Sequence, residues 1–245
     1  MEINLEIVQE NYIAVMEKIS KAAVLVGRKP DAIKLVVVTK ALPIEYAKLA
    51  ILAGANHLGE NYPEEGAKKI TEISYPDVTW HMIGHIQSRK AKIVAEHYDM
   101  VHSVDSLKLA NILNAECQKR NKIMPILLEL NVGGEESKEG WSVSEIGEVE
   151  KVVEEFEAIV NLSALKVQGL MTMPPLHDEA ERSRKYFKKI RVIQDILNHR
   201  FNNIFVELSM GTSNDYEIAV EEGATYVRVG RSILGPRPGK KDQTA

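Results

Sequence analysis

The chain has 245 residues, with 31 Lys and Arg against 35 Asp and Glu and a hydrophobic share of 44%. That is enough for one large α/β core, and a formal charge of -4 removes the basic footprint of a nucleic-acid binder. A single cysteine, Cys117, excludes an internal disulfide framework, and no leader pattern or bilayer-length apolar run is visible, so a reducing, cytoplasmic protein with neither nucleic-acid nor membrane partners is expected.

Leu5, Val8, Tyr12, Val15, Ile19, Ala22 and Val26 recur at steps of three and four, which predicts an amphipathic helix that Gly27 ends and Pro30 keeps ended. Strands are then expected at 33–40, 57–61, 79–84, 100–105, 125–132, 164–173, 204–211 and 226–230. Helical patterns lie between them at 44–53, 64–73, 87–97, 106–118, 143–160, 178–201 and 215–222. Ser142, Val143, Ser144 and Glu145 read as a capping box, and Asp105 as a start signal ahead of Leu107. An internal echo links Ala53-Gly54-Ala55-Asn56-His57-Leu58 to Glu222-Gly223-Ala224-Thr225-Tyr226-Val227, each with a glycine closing a helix before a strand. Eight β-then-α units predict an α/β fold, a (β/α)8 TIM-type barrel with one extra N-terminal helix, as a single domain over 1–235 with a flexible tail at 236–245. A doubly wound open sheet is disfavoured, because no G-x-G-x-x-G follows the first strand.

In a barrel, chemistry sits at the C-terminal ends of the strands. Alternation along the first strand places Val36, Val38 and Lys40 on one face, so an ammonium continues a row of core residues. Such a lysine either reaches out to solvent along its stem or forms a Schiff base. The loop Ser209-Met210-Gly211-Thr212-Ser213-Asn214-Asp215 and the turn Gly230-Arg231-Ser232 are both suited to an anion, and they follow the seventh and eighth expected strands, where barrels commonly bind phosphate. Arg228 shares the inward face with Tyr226 and Gly230 and needs an acceptor, whether a ligand oxygen, a heterocyclic nitrogen or Glu207 on the neighbouring strand. Glu60 and Asn61 add polar atoms at the end of the second strand. Together a strand-end Lys, a phosphate cup and an inward Arg match the aldehyde, phosphate and ring nitrogen of pyridoxal 5'-phosphate.

The segments Val37-Val38-Thr39-Lys40, Gly59-Glu60-Asn61-Tyr62, Trp80-His81-Met82-Ile83-Gly84-His85-Ile86-Gln87-Ser88-Arg89-Lys90, Gly169-Leu170-Met171-Thr172-Met173, Glu207 to Asp215 and Val227-Arg228-Val229-Gly230-Arg231 resemble the pyridoxal phosphate homeostasis protein family, also called the proline synthase co-transcribed homologue family. The resemblance implies a barrel like the N-terminal domain of alanine racemase, with Lys40 forming the internal aldimine. It implies Ser209, Ser213, Gly230 and Arg231 around the phosphate, Arg228 near the ring nitrogen and Asn61 beside the ring. Members often carry Ser where Thr39 stands and Met where Thr212 stands, which leaves the side-chain contact of Thr212 open.

The resemblance further implies a protein that holds or hands over the cofactor and contributes to vitamin B6 and amino-acid homeostasis, with apo-enzymes that use the cofactor as partners. An Arg at the ring nitrogen weakens the electron sink that racemisation needs, and a racemase would continue into a second domain. The alternative is a racemase or lyase whose second base is His81, His85 or Tyr62. His81 and His85 are not expected to hold a metal, because Gly84 interrupts the helix that an i, i+4 ligand pair needs. Trp80 and Met82 are expected to pack, and the loop at Gly133 and Gly134 could close over the site. No exposed apolar stripe is evident on the outer helices, so a monomer is expected.

Overall fold

Short Val- and Leu-rich runs bounded by turn residues form parallel strands, because both faces of each are covered and every second side chain enters a closed interior. The computed structural model describes residues 3–135, 137–175 and 179–236. Its strands are β1 (Lys34–Val38), β2 (His57–Glu60), β3 (Thr79–Met82), β4 (Met100–Val104), β5 (Met124–Asn131), β6 (Trp141–Ser142), β7 (Leu165–Met171), β8 (Glu207–Ser209) and β9 (Tyr226–Val229). The order β4-β3-β2-β1-β9-β8-β7-β5, with β5 paired back to β4, closes an eight-stranded parallel barrel; β6 adds only a short pairing to β5. The helices are α1 (Leu5–Leu25), α2 (Ile44–Leu52), α3 (Pro63–Glu72), α4 (Ala91–His97), α5 (Leu107–Gln118), α6 (Glu150–Val160), α7 (Arg184–Arg200), α8 (Tyr216–Glu221) and α9 (Arg231–Leu234). This is the expected TIM-type barrel with an added N-terminal helix. Among the described residues, no helix is long and apolar enough to cross a membrane.

Local signals explain several boundaries. Asn4 caps α1, its side chain accepting from the Ile7 N–H at 3.0 Å. Gly54 and Gly223 adopt φ of 110° and 107°, so the sequence echo marks two equivalent helix ends that require the left-handed region.

Most of the apolar core lies between strands and helices, where Leu35, Val37, Leu58, Trp80 and Met82 meet residues such as Val94 and Ile233. The barrel's interior holds only a small apolar cluster, Val36, Met100, Leu127, Met171 and Tyr226. Alternation fills the remaining interior with His57, His81, His102, Ser209 and Arg228, which is unusually polar for a barrel centre.

Some expectations need correction. Ser142 pairs with Asn131 in β6, so it cannot cap a helix. The capping box instead joins Glu145 to Glu148, ahead of a 3-10 turn (Ile146–Glu148), and only then does α6 begin. Ser106, not Asp105, caps α5, with its hydroxyl accepting from the Leu109 N–H at 3.3 Å. The helices expected at 87–97 and 178–201 likewise start as 3-10 turns, and Asp178 lies outside the described residues. The strand expected at 204–211 contracts to Glu207–Ser209, because Phe205 is held by the Asn198 side chain. The end of α1 does expose apolar side chains, with Val24 and Leu25 at 63% and 75%, so the surface basis for expecting a monomer does not hold. Apart from Pro236, the expected tail lies outside the described residues.

Candidate functional site

The C-terminal strand ends surround a cavity of about 190 Å³. Lys40, Asn61, Ser213, Arg228, Gly230 and Arg231 all line it, so six expected site residues from opposite ends of the chain converge. Thr212 and Asn214 join them, and Val38, Ile83 and Met173 supply apolar walls that sequence reading had assigned to packing or not singled out. The inward parity of Val38 and Ile83 was the available signal.

Ser209 does not line the cavity. Its side chain is fully buried beneath Arg228, whose guanidinium donates to Ser209 Oγ at 2.5 Å and to the Thr172 carbonyl at 3.1 Å. The phosphate contact expected of Ser209 is thus not visible in the lining, and its hydroxyl supports Arg228. Glu207 does not pair with Arg228 either; it binds Lys34 at 2.7 Å on the barrel floor. Burial pushes the Arg228 guanidinium down to about 10, opposed by Glu129 and Asp215, and it remains a cation at neutral pH.

Behind Ser209 runs a line of three imidazoles. His102 Nδ1 lies 2.8 Å from Ser209 Oγ, His81 Nδ1 lies 2.9 Å from His102 Nε2, and His57 Nδ1 lies 2.9 Å from His81 Nε2. The registers Gly59 to His81 and His81 to Met100 explain it: each histidine stands one strand over and one inward step higher. The Tyr226 ring meets all three edge-on, with centroids 5.0–6.2 Å away. Burial holds His81 and His102 well below the ordinary imidazole range, reinforced at His81 by His57 and Lys34 and at His102 by His81 and Arg228. His81 thus belongs to the barrel interior and does not line the cavity.

His85 stands at the rim, 47% exposed, with Nδ1 2.9 Å from Asp105 Oδ2 and 3.8 Å from Glu139 Oε1. These three side chains could be spanned by one ion, but they are exposed or half-buried, and His81 is not among them. Glu129 points into the same side of the barrel, where burial first, then Asp105, pushes its carboxyl up to about 7. Tyr62 is 55% exposed outside the cavity. The loop at Gly133 reaches across: Lys138 Nζ donates to the carbonyls of Met173 and Pro174 at 3.0 and 2.7 Å.

The donor set fits an anion bearing an aldehyde. Among the described residues, the cavity lining contains three cationic side chains, Lys40, Arg228 and Arg231, and no carboxylate. Ser213 Oγ accepts from the Gly230 N–H at 3.3 Å, which ties the two turns together and leaves the serine proton available to a ligand.

Comparison with known proteins converges on the same chemistry. The family model described as alanine racemase, N-terminal domain, matches residues 3–238. The chain is 38% identical over 223 residues to the pyridoxal phosphate homeostasis protein of Aquifex aeolicus, covering 91% of this chain and 95% of that one. It is 32% identical to PipY of Synechococcus elongatus, whose structure with PLP bound superposes with a TM-score of 0.77 over 89% of this chain and all of the other (100%). An alanine racemase from Clostridium difficile shares the fold at a TM-score of 0.71 and 17% identity, over 92% of this chain and 60% of the racemase.

Proposed function

The chain belongs to the pyridoxal phosphate homeostasis protein family, on the alanine racemase N-terminal fold, and from that membership we propose that it binds pyridoxal 5'-phosphate at the barrel mouth and takes part in vitamin B6 and amino-acid homeostasis. The observation that carries this is the convergence of Lys40, Arg228 and the two turns around one cavity. Lys40 is the covalent attachment point for the aldehyde. Ser213, Gly230 and Arg231 receive the phosphate, Asn61 flanks the ring, and Arg228 meets the ring nitrogen with Ser209 supporting it. When bound, the cofactor supplies an electrophilic carbon and an electron-withdrawing ring.

The role is holding the cofactor, within one domain over 1–235 in the cytoplasm, and releasing it to apo-enzymes. A guanidinium can only donate, so it keeps a facing nitrogen unprotonated and weakens carbanion stabilisation. Apart from Lys40, the described residues of the lining offer no group that readily exchanges a proton near neutrality: their other polar side chains are Asn, Ser, Thr and Arg. A racemase or lyase needs a second such group.

Purified protein incubated with pyridoxal 5'-phosphate should show a protein-bound absorption band, and borohydride should trap the cofactor on Lys40. Both should vanish in Lys40→Ala. A wild-type protein that stays colourless, or an adduct mapping to another lysine, would refute the assignment. Turnover of an alanine enantiomer by wild type and not by Lys40→Ala would establish the enzymatic alternative instead.

A further inference from the structure

Lys69 lies on α3, outside the barrel wall, and is only 4% exposed. Its ammonium donates to the Thr39 carbonyl at 2.8 Å, Glu60 Oε1 at 2.8 Å and Glu65 Oε1 at 2.7 Å. An ammonium has three donors, and all three are used. Thr39 Oγ1 donates to the same Glu60 oxygen at 2.6 Å, and the Ala41 N–H donates to Glu65 Oε1 at 2.8 Å. The main chain on both sides of Lys40 is therefore bound to groups that one buried cation gathers.

Alternation explains the placement. Thr39 and Glu60 point outward from β1 and β2 toward α3, while Lys40 and Asn61 point into the cavity. None of Lys69, Glu60 and Glu65 lines the cavity. Ala41 adopts φ of 55°, a left-handed conformation that an alanine rarely takes, and Glu65 holds its N–H there. The arrangement is costly for mere packing. Glu60 is fully buried, and its second oxygen, Oε2, has no hydrogen-bond partner among the described residues. An apolar filler of similar volume would avoid burying these charges, but it would leave the Thr39 carbonyl and the Ala41 N–H unanswered.

We propose that Lys69, through Glu65 and Glu60, is a positioning residue that clamps the Thr39–Lys40–Ala41 turn from behind and aims Lys40 at the aldehyde carbon of the cofactor. The inference rests on Lys40 being the attachment point. It separates two things that a shared site would otherwise confound, covalent attachment and recognition of phosphate and ring. The phosphate-facing turns and Arg228 lie on β8, β9 and their loops, and Lys69 touches none of them.

The test compares two probes on Lys69→Met and Lys69→Arg. Pyridoxal 5'-phosphate reports attachment, by borohydride trapping at Lys40 over time; pyridoxine 5'-phosphate has an alcohol in place of the aldehyde and reports recognition alone. Misplacing a reacting group by an ångström costs up to about a hundredfold, so Lys69→Met should slow trapping by about tenfold to a hundredfold. Its affinity for pyridoxine 5'-phosphate should stay that of wild type, and Lys69→Arg should restore part of the trapping rate. Unchanged trapping, or an equal loss of affinity for both probes, would overturn the positioning role. Should Lys69→Met fail to fold because Glu60 is stranded, the pair Lys69→Met with Glu60→Gln removes that charge and is read in the same way. Wild-type protein that binds pyridoxine 5'-phosphate yet forms no adduct at Lys40 would instead sink the attachment assignment, and this inference with it.

Discussion

Replacing His102 by Gln should flatten the acid-side loss of stability. His81 and His102 are both fully buried, and both are held neutral well below the ordinary imidazole range. In the unfolded chain each regains a pKa of about 6.5 and takes up a proton as pH falls. Unfolding then binds protons, so stability present above pH 6.5 is lost below it. Between pH 7 and pH 5, one histidine that stays neutral in the fold removes about 1.9 kcal/mol, and two remove about 4 kcal/mol. Glu129 works in the opposite sense: its carboxyl is raised to about 7, so its folded form gains a proton first and returns about 2 kcal/mol over the same span. Glu60, raised by burial against the pull of Lys69, adds to that offset. The net slope is thus a difference between opposing groups, and the informative quantity is the change on substitution. Urea unfolding at pH 7 and pH 5 should show His102→Gln losing about 2 kcal/mol less than wild type between the two. Parallel losses would show that the buried imidazole takes up its proton in the folded state, and would refute the neutral chain.

Ser209→Ala removes one of the two acceptors of the Arg228 guanidinium; a hydrogen bond to a charged group contributes about 1.5–3 kcal/mol, so spectral titration should show pyridoxal 5'-phosphate bound about tenfold to a hundredfold more weakly. Gly169→Ala would place a Cβ 1.9 Å from the Glu207 carbonyl oxygen, where only backbone could yield; urea unfolding should report a loss of about 3 kcal/mol or more. Ser106→Ala removes the cap of α5 and should cost about 1 kcal/mol by thermal melting, with the spectrum of bound cofactor unchanged.

The barrel was legible because the strands alternate and several helices end on a recognisable signal, as at Gly27 and at the paired Gly54 and Gly223. Lys40, Arg228 and Gly230 were legible for the same reason, since parity alone turns them inward at strand ends, whereas Glu60 and Asn61 were read together and only Asn61 lines the cavity. Depth was not legible. Ser209 shares the inward face, but it stands level with Tyr226 and so one step beneath Arg228, a register set between neighbouring strands and invisible in either segment alone. The imidazole line needs three such registers at once. Lys69 was hidden differently: four residues after Glu65, it reads as an ordinary surface ion pair, and only the closing of α3 over Thr39 and Glu60 buries it. The misplaced cap at Ser142 came from β6, a two-residue pairing too short for any periodicity to announce.

A guanidinium that can only donate fixes a direction along the whole barrel axis. Ser209 Oγ accepts from Arg228, so the serine proton is used only if it points to His102 Nδ1. His102 then carries its hydrogen on Nε2 and gives it to His81 Nδ1, and His81 gives its own to His57 Nδ1. With the serine proton so placed, all three rings are the same tautomer, with every hydrogen running from mouth to floor. His57 also lines a floor groove of about 650 Å³, yet along this line it presents no vacant lone pair through which a proton could enter. In that order of hydrogens the imidazoles form a polarised insulator, and acidity at the floor of the barrel does not reach the Arg228 guanidinium along this line.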